Sequence, residues 1–452
     1  MSANKLILAA RIVTCDDNEN VLINHAIEIQ DDIITRIAPL QQFDLSKFSG
    51  EMYDYSEYTL IPGFVQTHIH LCQTLFRGLA DDLELLDWLQ NKIFPYENAH
   101  NAVSLSASVR LGLHELLSSG TTTIVDMGTL RNQEIIFDEL IYAKIRAFAG
   151  KCMIDENDLS GSFKESTDEN LKSSYELAKE FHNIPGGRIK YAFAPRFALS
   201  CSEKLMRETK EIMKDFPGSF LHTHSSENKH EVEAVRKKYG KENIEYFDSI
   251  NLLDDHTVLA HCIHLNDKEI KSLKNNSVRV AHCPSSNLKL GSGIANIPGY
   301  LKEGISVSLG ADGAPCNNNL SAFTEMRFAS LIQKPVHGPT VMDPKTVFKL
   351  ATIEGAKALH MGNEIGSIEV GKKADIVLLD LERTELPLDK SGDGIYSSIV
   401  YSANKENVKE VMIGGEWVVS NGDVLIYDER ELVEDGKSEL MKLLSRAYSN
   451  NK

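Results

Sequence analysis

Thr59-Leu60-Ile61-Pro62-Gly63-Phe64-Val65-Gln66-Thr67-His68-Ile69-His70 is an apolar run that passes through Pro-Gly and closes on two histidines with one residue between them. On a β-strand, side chains two apart point to the same face, so the run sets both imidazoles side by side at its end. Two such imidazoles can grip one metal ion. A bare His-x-His also occurs as ordinary hydrogen-bonded histidines in a loop. The weight therefore falls on what lies about 150 to 250 residues downstream.

Outward from this stretch the chain alternates helical segments with short apolar runs. Helices are expected over Ala102 to Ser118 and Leu171 to His182. Strands are expected at 120–126, 189–194, 219–224, 257–261, 278–282 and 305–310. Strands recurring about every 25 to 45 residues with helices between them imply a parallel sheet of βα units. About 300 residues of this pattern favour a closed (β/α)8 TIM barrel, an α/β fold, over an open doubly wound sheet. No glycine-rich nucleotide fingerprint follows the first strand, which also disfavours the open sheet.

Both ends are rich in β signals. Residues 6–14, 26–29 and 33–37 read as strands, with Asp31-Asp32 as a turn. Near the other end, 374–380 and 408–413 are followed by Gly414-Gly415, a two-residue hairpin turn, and Glu416-Trp417-Val418-Val419. The expected organisation is a small composite β-sandwich from residues 1–59 and 371–452 around a metal-dependent barrel over 60–370.

Of the 452 residues, 42% are hydrophobic and 25% charged, as in a soluble globular protein. A net charge of −17 argues against nucleic acid and against an anionic membrane surface as partners. The seven cysteines form no Cys-x-x-Cys pair and suit a reducing compartment. No stretch approaches the roughly 20 apolar residues of a membrane span, and the N-terminal run is too short for a secretion signal. A cytoplasmic location is the expectation.

The tips of the expected strands carry His68 and His70, Asp126, Pro195-Arg196-Phe197, His224, His261, His282 and Asp312. In a barrel these tips share one face, where active sites lie. His68, His70 and His224 can supply imidazoles and Asp312 a carboxylate to one divalent ion, with a position open for water. Such an ion lowers the pKa of bound water from about 15.7 to about 7. Asp312 can take the proton of that water. Glu227, three residues after His224, can deliver a proton to a substrate nitrogen. His261 can orient the water or polarise the substrate. Other residues read more simply: His222 as a support or core histidine, His282 equally as a structural strand end, and Asp126 as a loop cap.

Pro-Gly-Phe-Val-x-Thr-His-x-His, His-x-x-Glu, Ala-His-Cys, Cys-Pro-Ser-Ser-Asn-Leu-Lys-Leu-Gly-Ser-Gly and Leu-Gly-Ala-Asp-Gly-Ala together resemble the amidohydrolase superfamily, in its mononuclear cytosine-deaminase-like branch. The likeness runs from the N-terminal strands to Gly371-Lys372-Lys373-Ala374-Asp375. It implies a (β/α)8 barrel with a β-sandwich from both termini. It also implies one Zn2+ or Fe2+ per subunit on His68, His70, His224 and Asp312, a proton shuttle at Glu227 and a water-orienting His261. No strand-end lysine points to the bridged two-metal sites of related hydrolases.

Two groups of this branch compete for the substrate. Thr74-Leu75-Phe76-Arg77-Gly78, residues 287–293, Gly313 to Asn318 and Glu325-Met326-Arg327 are similar to the methylthioadenosine/S-adenosylhomocysteine/5′-deoxyadenosine deaminases, in which a glutamate matching Glu97 of Pro95-Tyr96-Glu97 holds ribose hydroxyls. Gln73, Pro195-Arg196-Phe197 and His224 to Asn228 resemble guanine deaminase, in which the glutamine and arginine read an oxo-purine ring. Trp88 and Glu97 occur in both groups. Arg196 stands where nucleoside deaminases carry histidine. Ser166 stands where some members carry an arginine, which weakens the fit to a homocysteine carboxylate. The expected reaction is hydrolytic deamination of a small-molecule purine base or nucleoside, first a 5′-modified adenosine, with guanine as the alternative. A triazine-type hydrolase and a non-catalytic scaffold are further alternatives. Self-association into a homo-oligomer is expected.

Overall fold

Gly63 is where the chain leaves one sheet for another. The long strand Glu51–Pro62 ends immediately before it, and Phe64–His70 begins immediately after. A Cβ on Gly63 would lie 2.1 Å from Thr122 Oγ1, so only glycine lets the two barrel strands pass this closely. The structure is a computed structural model that describes residues 4–184, 186–382 and 394–449.

Phe64–His70 is the first of eight parallel strands. The others are Thr121–Asp126, Arg146–Ala149, Ile189–Pro195, Phe220–Ser225, Thr257–His261, Arg279–His282 and Ser306–Leu309, each paired with the next. The ring closes where Asp312–Gly313 pairs with the first strand and Thr67 Oγ1 meets Ser308 Oγ at 2.7 Å. This is a (β/α)8 barrel, as the alternating pattern implied. Every residue of the first strand is buried, because both faces of a barrel strand are covered.

The third strand, Arg146–Ala149, was not among those expected from the sequence. It is four residues long, and its tip carries no metal-ligand side chain.

The terminal segments form one continuous eight-stranded sheet. Asn4–Val13 pairs antiparallel with Val21–Gln30 and parallel with Glu51–Pro62. Ile376–Leu379 pairs antiparallel with Glu51–Pro62 and so joins the two ends of the chain. Gly414 and Gly415 form the expected hairpin turn, with φ of 55° and 75°, between Val408–Ile413 and Glu416–Ser420. Residues after this sheet behave differently. Glu429–Ser449 is a helix that buries Leu432, Gly436, Leu443 and Ala447, with Gly436 set against Leu111 of helix Ala102–Ser118. Its Arg446 donates to the Ala99 carbonyl at 2.8 Å.

A buried ion pair fastens the sheet to the barrel. Arg146 Nε and Nη2 donate to Asp375 Oδ2 and Oδ1 at 2.9 and 3.2 Å, and Asp375 Oδ1 also accepts from Gly414 N at 2.7 Å. Removing one partner leaves a buried charge uncompensated. Asp375→Ala is expected to lower unfolding free energy by about 3–5 kcal/mol, read as a lower urea midpoint. A midpoint equal to that of the parent would contradict this anchoring role.

Among the described residues, no helix is long and apolar enough to cross a membrane.

Candidate metal centre and active site

The strand tips converge as their positions demand. His68 and His70 share one face of the first strand, with ring centroids 4.9 Å apart. His70 Nε2 lies 3.2 Å from His224 Nε2, at the tip of the fifth strand. Asp312 Oδ1 lies 3.4 Å from both His68 Nε2 and His70 Nε2. Two of the rings, His224 and His68, are turned by a bond on the other nitrogen, while His70 Nδ1 is buried without a partner. His224 Nδ1–H donates to the Arg196 carbonyl at 2.7 Å, which leaves its Nε2 lone pair free. His68 Nδ1 meets His222 Nε2 at 2.8 Å, so His222 holds the His68 ring from behind.

His68 Nε2 and His261 Nε2 are buried and have no hydrogen-bond partner. The ligating atoms of His68, His70 and Asp312 lie within 4.8 Å of one another, as do those of His68, His224 and His261. Burial holds the pKa values of His70 and His224 well below the ordinary histidine range, so these imidazoles are neutral. Burial alone would raise the Asp312 pKa, but the imidazoles around it, His68 foremost, hold its carboxyl well below the usual carboxylate range. Neutral imidazoles and an ionised carboxylate, converging with unshared lone pairs, are the donor set a divalent ion takes. His70, Cys72 and Glu97 form another close group. There the Cys72 thiol donates to the Gly128 carbonyl, burial raises its pKa, and Glu97 is engaged elsewhere.

Glu227 and His261 stand over this centre. His261 Nε2 lies 3.4 Å from Glu227 Oε2 and 3.8 Å from Asp312 Oδ2, while its Nδ1–H donates to Asn287 Oδ1 at 2.8 Å. Burial, with Asp312 and Glu231 as negative neighbours, pushes the Glu227 pKa well above the ordinary glutamate range. Such a carboxyl can carry a proton near neutral pH. The backbone is left-handed at Ser226, His261 and Asp312, with φ of 53°, 73° and 62°. Non-glycine residues there carry roughly 1–3 kcal/mol of strain each, which the surrounding bonds sustain.

One cavity opens onto the group. His70, His224, Asp312, Glu227 and His261 line it on one side; Gln73, Arg196 and Phe197 line another; Leu85, Trp88 and Leu89 form an apolar wall. Trp88 Nε1 and Gln73 Oε1, on two of these lining residues, are buried and have no hydrogen-bond partner.

Glu97 sits one layer behind the cavity wall. Its carboxylate accepts from Arg196 Nη1 at 2.7 Å, Arg196 Nη2 at 3.2 Å and Gln73 Nε2 at 2.7 Å. A buried carboxylate beside a buried guanidinium pairs with it, and the pair fixes Gln73 and Arg196. Asp126 caps the turn after His70, accepting from Leu71 N at 2.8 Å and Gly128 N at 3.0 Å. His282 is buried with neither ring nitrogen partnered. Ser166, at the position lacking arginine, is the N-cap of helix Thr167–Phe181.

Sequence reasoning missed Glu231, which lines the cavity and accepts from Glu227 N–H at 2.8 Å. Its position four residues after Glu227, at the start of helix Lys229–Tyr239, was the available signal. Ser286, whose hydroxyl donates to Asp312 Oδ2 at 2.6 Å, was also missed, although it lies within a quoted motif.

A barrel with this constellation at its strand tips defines a hydrolase of the amidohydrolase type. Residues 59–418 match the amidohydrolase family, and the chain belongs to that family. It is 36% identical over 400 residues to a 5-methylthioadenosine/S-adenosylhomocysteine deaminase of Thermococcus sibiricus, covering 88% of this chain and 90% of that one. It is 38% identical over 385 residues to a 5′-deoxyadenosine deaminase of Methanothermobacter thermautotrophicus, covering 84% and 87%. Among solved structures, an adenosine deaminase from Xanthomonas campestris with bound zinc superimposes with a TM-score of 0.90 at 28% identity, covering 98% of this chain and 99% of that one.

Proposed function

We propose that the protein is a metal-dependent aminohydrolase that removes the exocyclic amine of an aminopurine as ammonia, with a 5′-modified adenosine as substrate. The observation that carries this reading is the convergence of His68 Nε2, His70 Nε2, His224 Nε2 and Asp312 Oδ1 below the buried Glu227 carboxyl. These four residues would hold one divalent ion, Zn2+ before Fe2+. When bound, such an ion supplies a water whose pKa is about 7 instead of about 15.7.

The chain's own groups do the rest. Glu227 gives its proton to the ring nitrogen next to the amine-bearing carbon, which makes that carbon electrophilic. Asp312 accepts the proton of the attacking water, and His261, turned by Asn287, hydrogen-bonds the attacking oxygen. The proton held by Asp312 then passes to the amine, the C–N bond breaks as ammonia leaves, and the hydroxyl proton returns to Glu227 as the ring carbonyl forms. The apolar wall of Leu85, Trp88 and Leu89 excludes bulk water, and Trp88 N–H, Arg196 and Gln73 orient the ring.

The relatives named for methylthioadenosine, S-adenosylhomocysteine and 5′-deoxyadenosine support the choice of substrate. Guanine is the second reading, and one observation favours it. Gln73 Oε1 accepts and Arg196 donates, so the ring N–H and carbonyl of an oxo-purine suit the two together, whereas an N9-substituted adenine has neither a ring N–H nor a carbonyl.

Ammonia release from 5′-deoxyadenosine, methylthioadenosine, S-adenosylhomocysteine and guanine separates the two. The expected order of kcat/KM places the small 5′ groups first and S-adenosylhomocysteine lower, because Ser166 offers its carboxylate no guanidinium. Guanine outranking all three nucleosides would overturn the first reading in favour of the second.

A further inference from the structure

Directly after the seventh barrel strand the chain passes through Cys283 into helix Pro284–Lys289, whose Ser286 and Asn287 make two of the bonds that orient the groups facing Glu227. Ser286 donates to Asp312 Oδ2 at 2.6 Å, and Asn287 Oδ1 accepts from His261 Nδ1 at 2.8 Å. Neither bond can be better placed than this helix itself.

What holds this helix lies outside the ring of strands. Glu325, on helix Ala322–Leu331, is fully buried, and its carboxylate reaches two short helices at once. Oε2 accepts from Ser285 N–H at 3.2 Å. Oε1 accepts from Ser285 Oγ–H at 2.5 Å and from Asn317 Nδ2 at 2.8 Å. Asn317 ends the short helix Ala314–Asn317 that follows Asp312 and Gly313, and its amide also donates to the Ala311 carbonyl at 2.7 Å. One carboxylate therefore ties the segment bearing Ser286 and Asn287 to the segment bearing Asp312.

Filling this space with a carboxylate is expensive unless every oxygen is matched, and a leucine or methionine would fill it more cheaply. The hydrogen bonds give the reason for an acid here. Without them, a buried backbone N–H, a hydroxyl and an amide would each lose a partner, beside the centre where placement matters most.

We propose that Glu325 is a positioning residue for the hydrolytic centre, setting His261 and Asp312 by fixing helix Pro284–Lys289, at Ser285, against the short helix Ala314–Asn317, at Asn317. The inference rests on the hydrolytic reading of the site. Glu325 touches neither substrate nor the metal ligands, so it acts only through Ser285 and Asn317.

The test is Glu325→Gln in the metal-loaded full-length chain. Glutamine keeps an oxygen for Ser285 Oγ–H and Asn317 but turns an N–H toward the Ser285 N–H, so the bond that holds the start of helix Pro284–Lys289 is lost. The expected result is a kcat about 10- to 100-fold lower, as for small misplacements of catalytic groups. KM should stay within about threefold of the parent, and metal release to a chelator should quicken about tenfold. In an Asn287→Ala background the same change should reduce kcat by clearly less than it does alone, because both act through His261. A merely structural loss would multiply fully. A kcat within about twofold of the parent, or full multiplication in the double variant, overturns the proposal.

If Glu325→Gln does not fold, Ser285→Ala and Asn317→Ala each remove one partner and leave the carboxylate in place. A several-fold fall in kcat at constant KM in either supports the role, and parent-like kcat in both overturns it. Metal release keeps this test separate from the substrate question. If the parent chain deaminates no purine, the hydrolytic reading fails by itself, while unchanged metal release in Glu325→Gln still counts against Glu325.

Discussion

A Glu227→Gln enzyme is expected to retain its metal and its substrate affinity while kcat falls by about 10²–10⁴-fold, the usual contribution of a general acid–base group. Glutamine has the same shape and can still hydrogen-bond the purine ring, but it has no proton to transfer. The structure gives this position the properties the role needs. Burial with Asp312 and Glu231 nearby raises the Glu227 pKa well above the ordinary glutamate range, which favours the protonated form that the role needs. Its backbone is held by Glu231 and follows the left-handed Ser226, so the carboxyl is aimed before substrate arrives. Steady-state kinetics with metal analysis on the same sample checks the prediction. Turnover within about threefold of the parent would remove Glu227 from the proton path.

Stripping the metal is expected to abolish activity and to lower stability. The donor atoms of His68, His70, His224 and Asp312 point at one another, and His68 Nε2 finds no partner within the protein. A ligand that binds only the folded state adds about 2.7 kcal/mol when present at 100 times its Kd, so chelation should lower the thermal midpoint as well as the rate. Both effects should reverse on adding metal back. Activity lost irreversibly, or a midpoint indifferent to chelator, would point to a site that does not depend on an ion.

Much of the barrel was legible because its strands are short apolar runs that end at marked positions. Helix Ala102–Ser118 and strand Thr257–His261 occur where periodicity placed them. Strand Arg146–Ala149 was not legible, since four residues directly after helix Gln133–Tyr142 carry too little pattern to distinguish strand from helix end. Helix Glu429–Ser449 was overlooked because its buried stripe is sparse and includes Gly436. The metal-ligand types were visible for a physical reason: barrel topology brings strand tips together whatever their separation in sequence. The layer behind them was not. Glu97 and Arg196 lie 99 residues apart, and Glu325 and Ser285 lie 40 apart. No local period encodes such pairings, which depend on how the loops pack once the barrel has closed.

The most direct test of this account is a titration of metal-free protein with Zn2+, following ammonia release from 5′-deoxyadenosine. Activity is predicted to rise linearly and to level off at one ion per chain. Full activity before any metal is added would contradict the account, as would an absence of ammonia from every aminopurine once the site is filled.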